Sequence, residues 1–439
     1  MGRSRARRAG FGIISILAVL LVSFPSVGAE ETVPETTTQA PVEVYHTESY
    51  TVPPQSNSWE GWPEGPLVEA EAAIVLDLDT EAVLYAKNVD EELYPASITK
   101  MMTGLLACES LEENTSFAMS EAAAYGIEPG SSSIYGDVDE VFTVEQALMG
   151  LMLESANEMA LALGEQVSGS VKKFVELMNQ RARELTCTHT HFNNPNGLPD
   201  ETHYTSARDM AKICRAAWQN RTFRRYFTTD YYEIPPTNVM KETRYMLNHH
   251  RMMPGRDYAY DGVQGGKTGY TDDAGNTLVT FASKNKINVV AVVLGSIGGA
   301  YTDTAALLDY CFGSFERMNM KVNQTPLCRI PQSEKYILKD GGRICAFPYR
   351  KGVTVTVPAG TARKEILRRQ SLLENSAGPD RIKSKYYLGD RQVGWGMQYE
   401  ERILPDLVTE PQSLEKEAEG ETTADASREA QEPETVQEP

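Results

Sequence analysis

The sequence predicts an α+β fold: a large domain with an antiparallel sheet flanked by helices, followed by a small β-rich domain. The large domain is predicted because strand-like apolar runs lie near both of its ends and helical periodicity fills the interval between them. The small domain is predicted by short β-rich runs, broken by Gly, Pro and Asp, that follow residue 315. The strand-like runs of the large domain occupy residues 71–79, 82–86, 265–270, 276–283 and 287–295.

The first two runs predict a β-hairpin. Residues 71–79 and 82–86 are both apolar, and the turn between them contains Asp79-Thr-Glu81. The last three runs follow one another closely and predict three consecutive strands. We expect both groups of strands in one antiparallel sheet, with the helical region inserted between them.

Helices are predicted where apolar residues recur at helical spacing. In the first, residues 97–108, the apolar residues are Met101, Met102, Leu105 and Leu106. Further helical patterns cover residues 144–167, 171–185 and 303–312. In the small domain, residues 352–358 have the pattern of a strand, whereas residues 363–373 are compatible with a helix.

The first 29 residues have the pattern of a signal peptide. Four arginines precede an apolar run at residues 11–22, and Val27-Gly-Ala29 has the small residues of a cleavage site. The apolar run is short for a membrane span, which favours a removable signal, although a retained N-terminal anchor stays open as the alternative. In either case we expect an exported protein, located outside the cell, in the cell wall or on the outer face of the cytoplasmic membrane.

Two acidic flanks, residues 30–66 and 409–439, are rich in Pro, Thr, Ser and Glu. This composition predicts disordered segments on either side of a catalytic domain at 67–315 and a small domain at 316–408. The C-terminal flank has no apolar stripe, so we expect no amphipathic membrane anchor there. The formal net charge is −19, and no basic patch with interleaved aromatic residues occurs, which argues against nucleic acid as a partner.

The six cysteines are too few and too scattered for a disulfide scaffold. Cys328 and Cys345 flank a hairpin-like region and form the best candidate pair, but free thiols are the preferred interpretation. Cys187, His189 and His191 alternate like metal ligands on one strand face, and no fourth ligand accompanies them. We therefore predict neither a metal site nor a cofactor.

Ser97-Ile-Thr-Lys100 stands at the start of the first predicted helix, directly after Pro95-Ala96. At this spacing two side chains share one helical face, and the helix N-terminus adds N–H groups beside the serine oxygen. A serine hydroxyl needs a base, and a lysine can serve when burial and nearby positive charge favour its neutral form. The motif alone is weak, because a helix cap followed by a solvated lysine has the same pattern.

Two further motifs make the pattern specific. Ser155-Ala-Asn157 lies in the helical region, and Lys267-Thr-Gly269 lies on a predicted strand after two glycines. Each tripeptide is common by itself. All three motifs in this order are the signature of penicillin-binding proteins and serine β-lactamases.

With these residues the chain resembles the low-molecular-mass penicillin-binding proteins, the D-alanyl-D-alanine carboxypeptidase or serine peptidase S11 family. The resemblance is close over residues 67–315 and weaker over 320–408, where that family has a β-rich domain. It implies a β-lactamase/transpeptidase-like catalytic domain with a helical subdomain. The matching stretches are residues 94–103, 151–157, 194–200, 203–209, 266–275 and 389–394.

The resemblance also implies roles for individual residues. Ser97 would attack the D-Ala-D-Ala carbonyl of a peptidoglycan stem peptide and form an acyl-enzyme, with Lys100 as general base. Ser155 would pass a proton to the leaving amine, and Asn157 would hold a substrate amide and orient Lys100. β-Lactams would be trapped at Ser97 and act as inhibitors.

The strand motif would bind the C-terminal end of the substrate. Lys267 would supply positive potential, which also keeps Lys100 neutral, and Thr268 would hydrogen-bond the substrate carboxylate. Gly269 completes the substrate-binding motif, and the N–H group of Tyr270 would form the oxyanion hole together with that of Ser97.

One residue departs from the family pattern. Ala300 stands where many members have an arginine that helps to bind the terminal carboxylate, and this favours, as an alternative, a non-catalytic cell-wall binding module. A class A β-lactamase is a weaker alternative, because Glu-x-x-Leu-Asn does not occur between Asn157 and Lys267.

Overall fold

The computed structural model describes residues 46–320, 344–346, 352–373, 381–399 and 401–403. The helices are α1 (Lys100–Ser110), α2 (Glu121–Tyr125), α3 (Val144–Leu153), α4 (Asn157–Ser168), α5 (Val171–Glu184), α6 (Ala207–Gln219), α7 (Arg221–Thr228) and α8 (Ala300–Ser314). The strands of the large domain are β1 (Ala72–Asp77), β2 (Val83–Lys87), β3 (Ser116–Ala118), β4 (Val141–Thr143), β5 (Tyr231–Ile234), β6 (Arg244–Leu247), β7 (Val263–Thr271), β8 (Gly275–Lys284) and β9 (Ile287–Ser296). Those that follow are β10 (Phe315–Met320), β11 (Ile344–Ala346), β12 (Val353–Pro358), β13 (Ile366–Leu373), β14 (Arg381–Leu388), β15 (Arg391–Tyr399) and β16 (Glu401–Ile403).

The main sheet has five strands in the order β2-β1-β9-β8-β7, and every neighbouring pair is antiparallel. Strand β1 lies next to β9 although more than 200 residues separate them, and Ile74 stands opposite Val292. The prediction of one antiparallel sheet built from both ends of the large domain is therefore confirmed. The inserted residues form the helical region and two small two-stranded sheets, β3 with β4 and β5 with β6.

Successive side chains of β1 enter two different cores, because side chains alternate between the faces of a strand. Ile74 packs with the inserted helices, whereas Val75 packs on the face covered by α8. Both are fully buried. On the helical side, Phe227 of α7 stacks on Phe281 of β8 with ring centroids 4.4 Å apart. The helices are thus fixed against the strand pair that carries the Lys267 motif.

The single helix predicted for residues 144–167 is two helices in the structure. Helix α3 begins with a capping box between Thr143 and Gln146 and ends at Leu153, and α4 begins at Asn157. Between them Ser155 has φ = +58°, which is incompatible with a continuous right-handed helix. The first predicted helix also differs at its start, where residues Ala96–Thr99 form a 3-10 turn before α1.

Residues 46–66, predicted as part of a disordered linker, are ordered along β2. The indole N–H of Trp62 donates to the carbonyl of Leu84 at 3.0 Å, and the hydroxyl of Tyr85 donates to the carbonyl of Pro66 at 2.9 Å. The fully buried ammonium of Lys87 donates to the carbonyl of Ser49 at 2.6 Å. The segment stays ordered because it covers this edge strand and satisfies a buried charge, which composition alone does not reveal.

The small domain is a five-stranded antiparallel sheet in the order β10-β12-β15-β14-β13. Residues 363–373, whose sequence was also compatible with a helix, form a short 3-10 turn followed by strand β13. The small domain is hydrogen-bonded to the catalytic domain at the end of β1. There the buried carboxylate of Asp77 accepts from the hydroxyl of Thr356 at 2.7 Å and from the guanidinium of Arg317 at 3.1 Å.

Four cysteines in the described part of the chain are free thiols, Cys108, Cys187, Cys214 and Cys311. Cys328, and therefore the candidate pair that contains it, lies outside the described residues, as do the predicted signal peptide and acidic tail. Within the described ranges, no helix has the length and apolar character to cross a membrane. Nor do the side chains of this part include three His, Cys, Asp or Glu residues arranged to hold a metal ion.

Candidate active site

Ser97 and Lys100 are in direct contact at the start of α1. Lys100 is completely buried, and its Nζ lies 3.0 Å from the hydroxyl oxygen of Ser97. It also donates to Oδ1 of Asn157 and to the backbone carbonyl of Asn196, both at 2.7 Å. Ser97 itself is only partly buried. A reactive hydroxyl at the surface is therefore backed by an amine that has no access to solvent.

The environment of Lys100 favours its neutral form. Burial lowers the pKa of Lys100 well below its ordinary value, and the positive charge of Lys267 lowers it further. The carboxylate of Glu158, the residue after Asn157, opposes both effects. A neutral amine beside a serine hydroxyl is able to accept that hydroxyl's proton.

The segment around residues 194–197 holds the nucleophile turn in place. The hydroxyl of Thr103 donates to the carbonyl of Pro195 at 2.6 Å, one turn along α1 from Lys100. Gly197 has φ = +90°, and a Cβ atom there would collide with the carbonyl oxygen of Ala96. Only a glycine can therefore pass this close to the turn. From the other side, Thr99 is hydrogen-bonded to the buried ring of His203 at 2.9 Å.

The break between α3 and α4 presents Ser155 and Asn157 to the site. Both are buried. The hydroxyl of Ser155 has no hydrogen-bond partner among the described residues. In contrast, both the side chain and the backbone N–H of Asn157 are hydrogen-bonded. Its side chain accepts from Lys100, and its backbone N–H donates to the carbonyl of Ser132 at 2.8 Å. The left-handed conformation of Ser155 ends the path of α3 and lets α4 begin at Asn157.

Strand β7 closes the other side of the site. The ammonium of Lys267 is buried and donates to the carbonyl of Thr268 at 2.7 Å, and burial lowers its pKa to about 7. A Cβ atom on Gly269 would lie 2.9 Å from the backbone nitrogen of Ser97, so the strand passes directly against the nucleophile turn. Tyr270 follows with an exposed side chain, and its hydroxyl donates to Asp272 at 3.0 Å.

Ala300 is buried at the first position of α8 and brings no polar group to this region. The next residue, Tyr301, stacks on Tyr258 with ring centroids 4.9 Å apart. The guanidinium of Arg251 lies 4.7 Å from the Tyr258 ring and is paired with Asp257 at 2.6 Å. Position 300 therefore contributes no charged group at the start of α8.

The model of the D-alanyl-D-alanine carboxypeptidase family, Peptidase S11, matches residues 61–298. The chain belongs to this family. It is 35% identical over 263 residues to a D-alanyl-D-alanine carboxypeptidase of Bacillus subtilis, a match that covers 58% of this chain and 66% of that protein. It is 30% identical over 329 residues to an Escherichia coli K12 protein of the same description, covering 72% of this chain and 76% of that one. The chain thus spans slightly under two thirds of the Bacillus relative.

A solved structure gives the same result for the fold. Penicillin-binding protein 5 from Haemophilus influenzae superimposes with a TM-score of 0.61 at 25% identity, and the match covers 77% of this chain and 98% of that structure. The family and the transpeptidase-like fold, which the resemblance implied, and the β-rich C-terminal domain, which the short runs after residue 315 predicted, are therefore confirmed.

Several residues of the site were not predicted from the sequence. Asn196 contributes a backbone carbonyl, which leaves no signature in side-chain type. Glu158 and His203 are buried and polar. Glu158 is followed by the apolar run Met159–Leu163, which hints at a buried position, whereas polar residues surround His203 in the sequence and give no such hint. Of the predicted residues, Ser97, Lys100 and Asn157 are joined by direct contacts, and Lys267 and Gly269 stand on the strand beside them.

Proposed function

We propose that the chain is a serine-type D-Ala-D-Ala carboxypeptidase, which removes the terminal D-alanine from peptidoglycan pentapeptide stems and is inhibited by β-lactams. One observation carries the proposal: the amine of Lys100 is buried, has a lowered pKa and lies 3.0 Å from the hydroxyl of Ser97. The relatives described above are D-alanyl-D-alanine carboxypeptidases, which supports the same substrate class.

Acylation begins at Ser97. Neutral Lys100 accepts the hydroxyl proton while Oγ attacks the carbonyl carbon of the penultimate D-alanine. The negative charge that develops on the carbonyl oxygen is stabilised by the backbone N–H groups of Ser97 and Tyr270. Such donors are typically worth about 3–4 kcal/mol of barrier each. The closeness of β7 to Ser97 at Gly269 supports this pairing of donors.

Expulsion of D-alanine requires a proton on its nitrogen. Ser155 relays this proton from the protonated Lys100, the C–N bond breaks, and free D-alanine leaves an ester on Ser97. The buried hydroxyl of Ser155, which has no partner among the described residues, is available for such a relay. Asn157 holds the donor peptide's amide through its side-chain N–H₂ while its Oδ1 orients Lys100.

The substrate carboxylate is held near β7. Thr268 hydrogen-bonds it, and the charge of Lys267 attracts it through the field of a site with little solvent. A water molecule then attacks the ester, Lys100 takes its proton, and Ser97 is regenerated with release of the shortened stem peptide. A β-lactam acylates Ser97 in the same way, but its leaving group stays attached to the acyl chain.

Peptidoglycan lies outside the cytoplasmic membrane, so this substrate requires an exported enzyme. The basic and apolar pattern of residues 1–29 supports export through a signal peptide.

The proposal is tested by D-alanine release from a synthetic pentapeptide, with wild type and Ser97→Ala in parallel. We expect release by the wild type and none by the variant, and a fluorescent penicillin should label only the wild type. Penicillin labelling without release would favour the non-catalytic binding module, which Ala300 supports. Rapid turnover of a chromogenic cephalosporin would favour a β-lactamase.

A further inference from the structure

Ser155, which relays a proton in the mechanism above, is not held in place by its own side chain. Its hydroxyl has no hydrogen-bond partner among the described residues, and its backbone is left-handed, with φ = +58°. The backbone N–H groups of its two neighbours, Glu154 and Ala156, both donate to the carbonyl of Gly150, at 3.2 and 3.1 Å. Because Gly150 belongs to α3, these bonds fix the break between α3 and α4 to its own helix only.

The side chain of Glu154 joins this break to residues 247–250. Its Oε1 accepts from the N–H of Leu247 at 2.9 Å, and Nε2 of His249 lies 3.1 Å from its Oε2. Partial burial raises the pKa of Glu154, but the bonds from His249 and Leu247 outweigh this effect and hold the pKa below its ordinary value. The group is therefore a carboxylate with both oxygens engaged, and such a group is poorly placed to act as a base toward water.

Residues 247–250 end at the strands that carry and support the Lys267 motif. The last of them, His250, is buried, and its Nε2 lies 2.9 Å from the hydroxyl of Thr280 and 3.2 Å from the carbonyl of Val279. Both of these partners belong to β8, and Val279 stands opposite Lys267 in the sheet. Four consecutive residues thus connect the break between α3 and α4 with the strand pair on the far side of the nucleophile.

The contact between Glu154 and His249 is suited to positioning more than to stability. The side chain of Glu154 is 24% exposed and that of His249 is 54% exposed, and a pair this accessible adds little to the free energy of folding. The contact does restrict where the residue that follows Glu154 can stand. A misplacement of about 1 Å in a reacting group can lower the rate of reaction about 100-fold.

We propose that Glu154 is a positioning residue for Ser155, and that through residues 247–250 it holds the relay hydroxyl at the distance from Lys267 that protonation of the leaving amine requires. This inference rests on the proposed function and goes beyond it by naming the residue that makes the relay effective. Its consequence depends on the leaving group. An amine leaves only after it gains a proton, which comes from protonated Lys100 through Ser155, whereas a thiolate leaves without one.

The test compares Nα,Nε-diacetyl-L-Lys-D-Ala-D-Ala with the thioester in which sulfur replaces the nitrogen of the terminal D-alanine. Both substrates place the same acyl group on Ser97, so kcat/KM compares their two acylation steps and hydrolysis of the common ester does not enter. In Glu154→Ala we expect kcat/KM for the amide to fall about 100-fold and that for the thioester to change less than about threefold. His249→Ala, which keeps the bond from Leu247, should give a smaller shift in the same direction.

Glu145→Ala is the matched control. Glu145 lies at the other end of α3, its side chain is 29% exposed, and it is paired with Arg225 of α7 at 3.0 Å. Its loss should leave the ratio of the two kcat/KM values as in the wild type. The double variant Ser155→Ala with Glu154→Ala should have the same ratio as Ser155→Ala alone, because no relay hydroxyl is left to position.

A second readout separates this inference from the proposed function. Penicillin acylation of Ser97 also breaks a C–N bond, so its rate should fall in Glu154→Ala while thiol release from the thioester is retained, even if the acyl-enzyme is never hydrolysed and the carboxypeptidase proposal falls. Equal losses with amide, penicillin and thioester would overturn the inference, because they would show a general disturbance of the site. Unchanged rates with all three, or a further drop of the ratio in the double variant, would overturn it as well.

Discussion

The Nζ atom of Lys100 lies 3.0 Å from the Oγ atom of Ser97, one 3-10 turn earlier in the chain. The lysine also donates to two other acceptors, Oδ1 of Asn157 and the backbone carbonyl of Asn196. Burial is the main cause of the lowered pKa of this amine, and the charges of Lys267 and Glu158 adjust it further in opposite directions. These charges can be changed one at a time.

The pH dependence of acylation should shift when Glu158 loses its charge. Acylation requires neutral Lys100, so its rate rises with pH through the pKa of that lysine. Glu158 raises this pKa, and Glu158→Gln should therefore move the rising limb to lower pH while the amide oxygen keeps its hydrogen bonds to the 133–134 segment. The measurement is the second-order rate of labelling by a penicillin across the pH range.

The control for this experiment is Glu140→Gln. Glu140 is a buried carboxylate that supports the same segment through Arg244, and it is not among the charges that act on Lys100. Glu140→Gln should lower the free energy of unfolding without shifting the rising limb of the acylation rate along the pH axis. An unchanged limb in Glu158→Gln would contradict the electrostatic role of Glu158.

Gly269→Ala should abolish most activity while leaving the fold intact. The added methyl would approach the backbone nitrogen of Ser97 to 2.9 Å and collide with the hydroxyl of Thr277, so the strand must move away from the oxyanion position. Loss of one such donor costs about 100- to 1000-fold in kcat. Penicillin acylation rates and thermal unfolding measure the two effects separately. An acylation rate in Gly269→Ala equal to that of the wild type would show that β7 does not shape the oxyanion site.

Gly197→Ala should be strongly destabilising, because its φ of +90° is combined with contact to the carbonyl of Ala96. We expect a loss of at least about 3 kcal/mol in the free energy of unfolding, from backbone strain and overpacking together. Gly169→Ala is the matched control, since Gly169 has φ = +76° and open space around it. It should cost only about 1–2 kcal/mol. Equal losses in urea unfolding would show that the close approach at Gly197 contributes nothing.

Arg317→Met should weaken the attachment of the small domain. It leaves the carboxylate of Asp77 buried without its cation, which typically costs about 3–5 kcal/mol. The double variant Asp77→Asn with Arg317→Met removes both charges and should recover most of this loss. Chemical unfolding of both variants is the measurement, and a double variant as unstable as the single one would argue against an isolated buried charge.

Acid should destabilise the protein through His203 and His250. Burial lowers the pKa of each to about 4, below the ordinary value of 6.5. Between these two values the unfolded chain binds more protons than the folded one, so stability is full above pH 6.5 and falls as the pH decreases toward 4. The loss is on the order of 3 kcal/mol for each histidine. Imidazole ¹⁵N shifts should show both rings neutral at pH 5.5, and titration near 6.5 would refute the prediction.

The strand pattern and the three motifs were predictable because each has a local cause. Ile74 and Val75 alternate between two buried faces, and the motif residues must be of particular chemical types. The break at Ser155 was not predictable, since the residues around it continue the helical pattern and the break depends on the distant hydrogen bond from Asn157 to Ser132. Asn196 acts through its backbone. The order of residues 46–66 depends on Trp62 and Lys87 meeting the sheet edge.

The adjacency of β1 and β9 has a consequence for how the molecule is made. Synthesis proceeds from the N-terminus, so Ser97 and Lys100 leave the ribosome about 170 residues before the Lys267 strand. Until β7, β8 and β9 are synthesised, β1 can pair only with β2 in this sheet. The turn that carries Ser97 then lacks the strand that packs beside it. Contacts between such distant parts of a chain form slowly and late. A nascent chain therefore carries Ser97 and Lys100 before it carries the strand that stands beside them in the complete site.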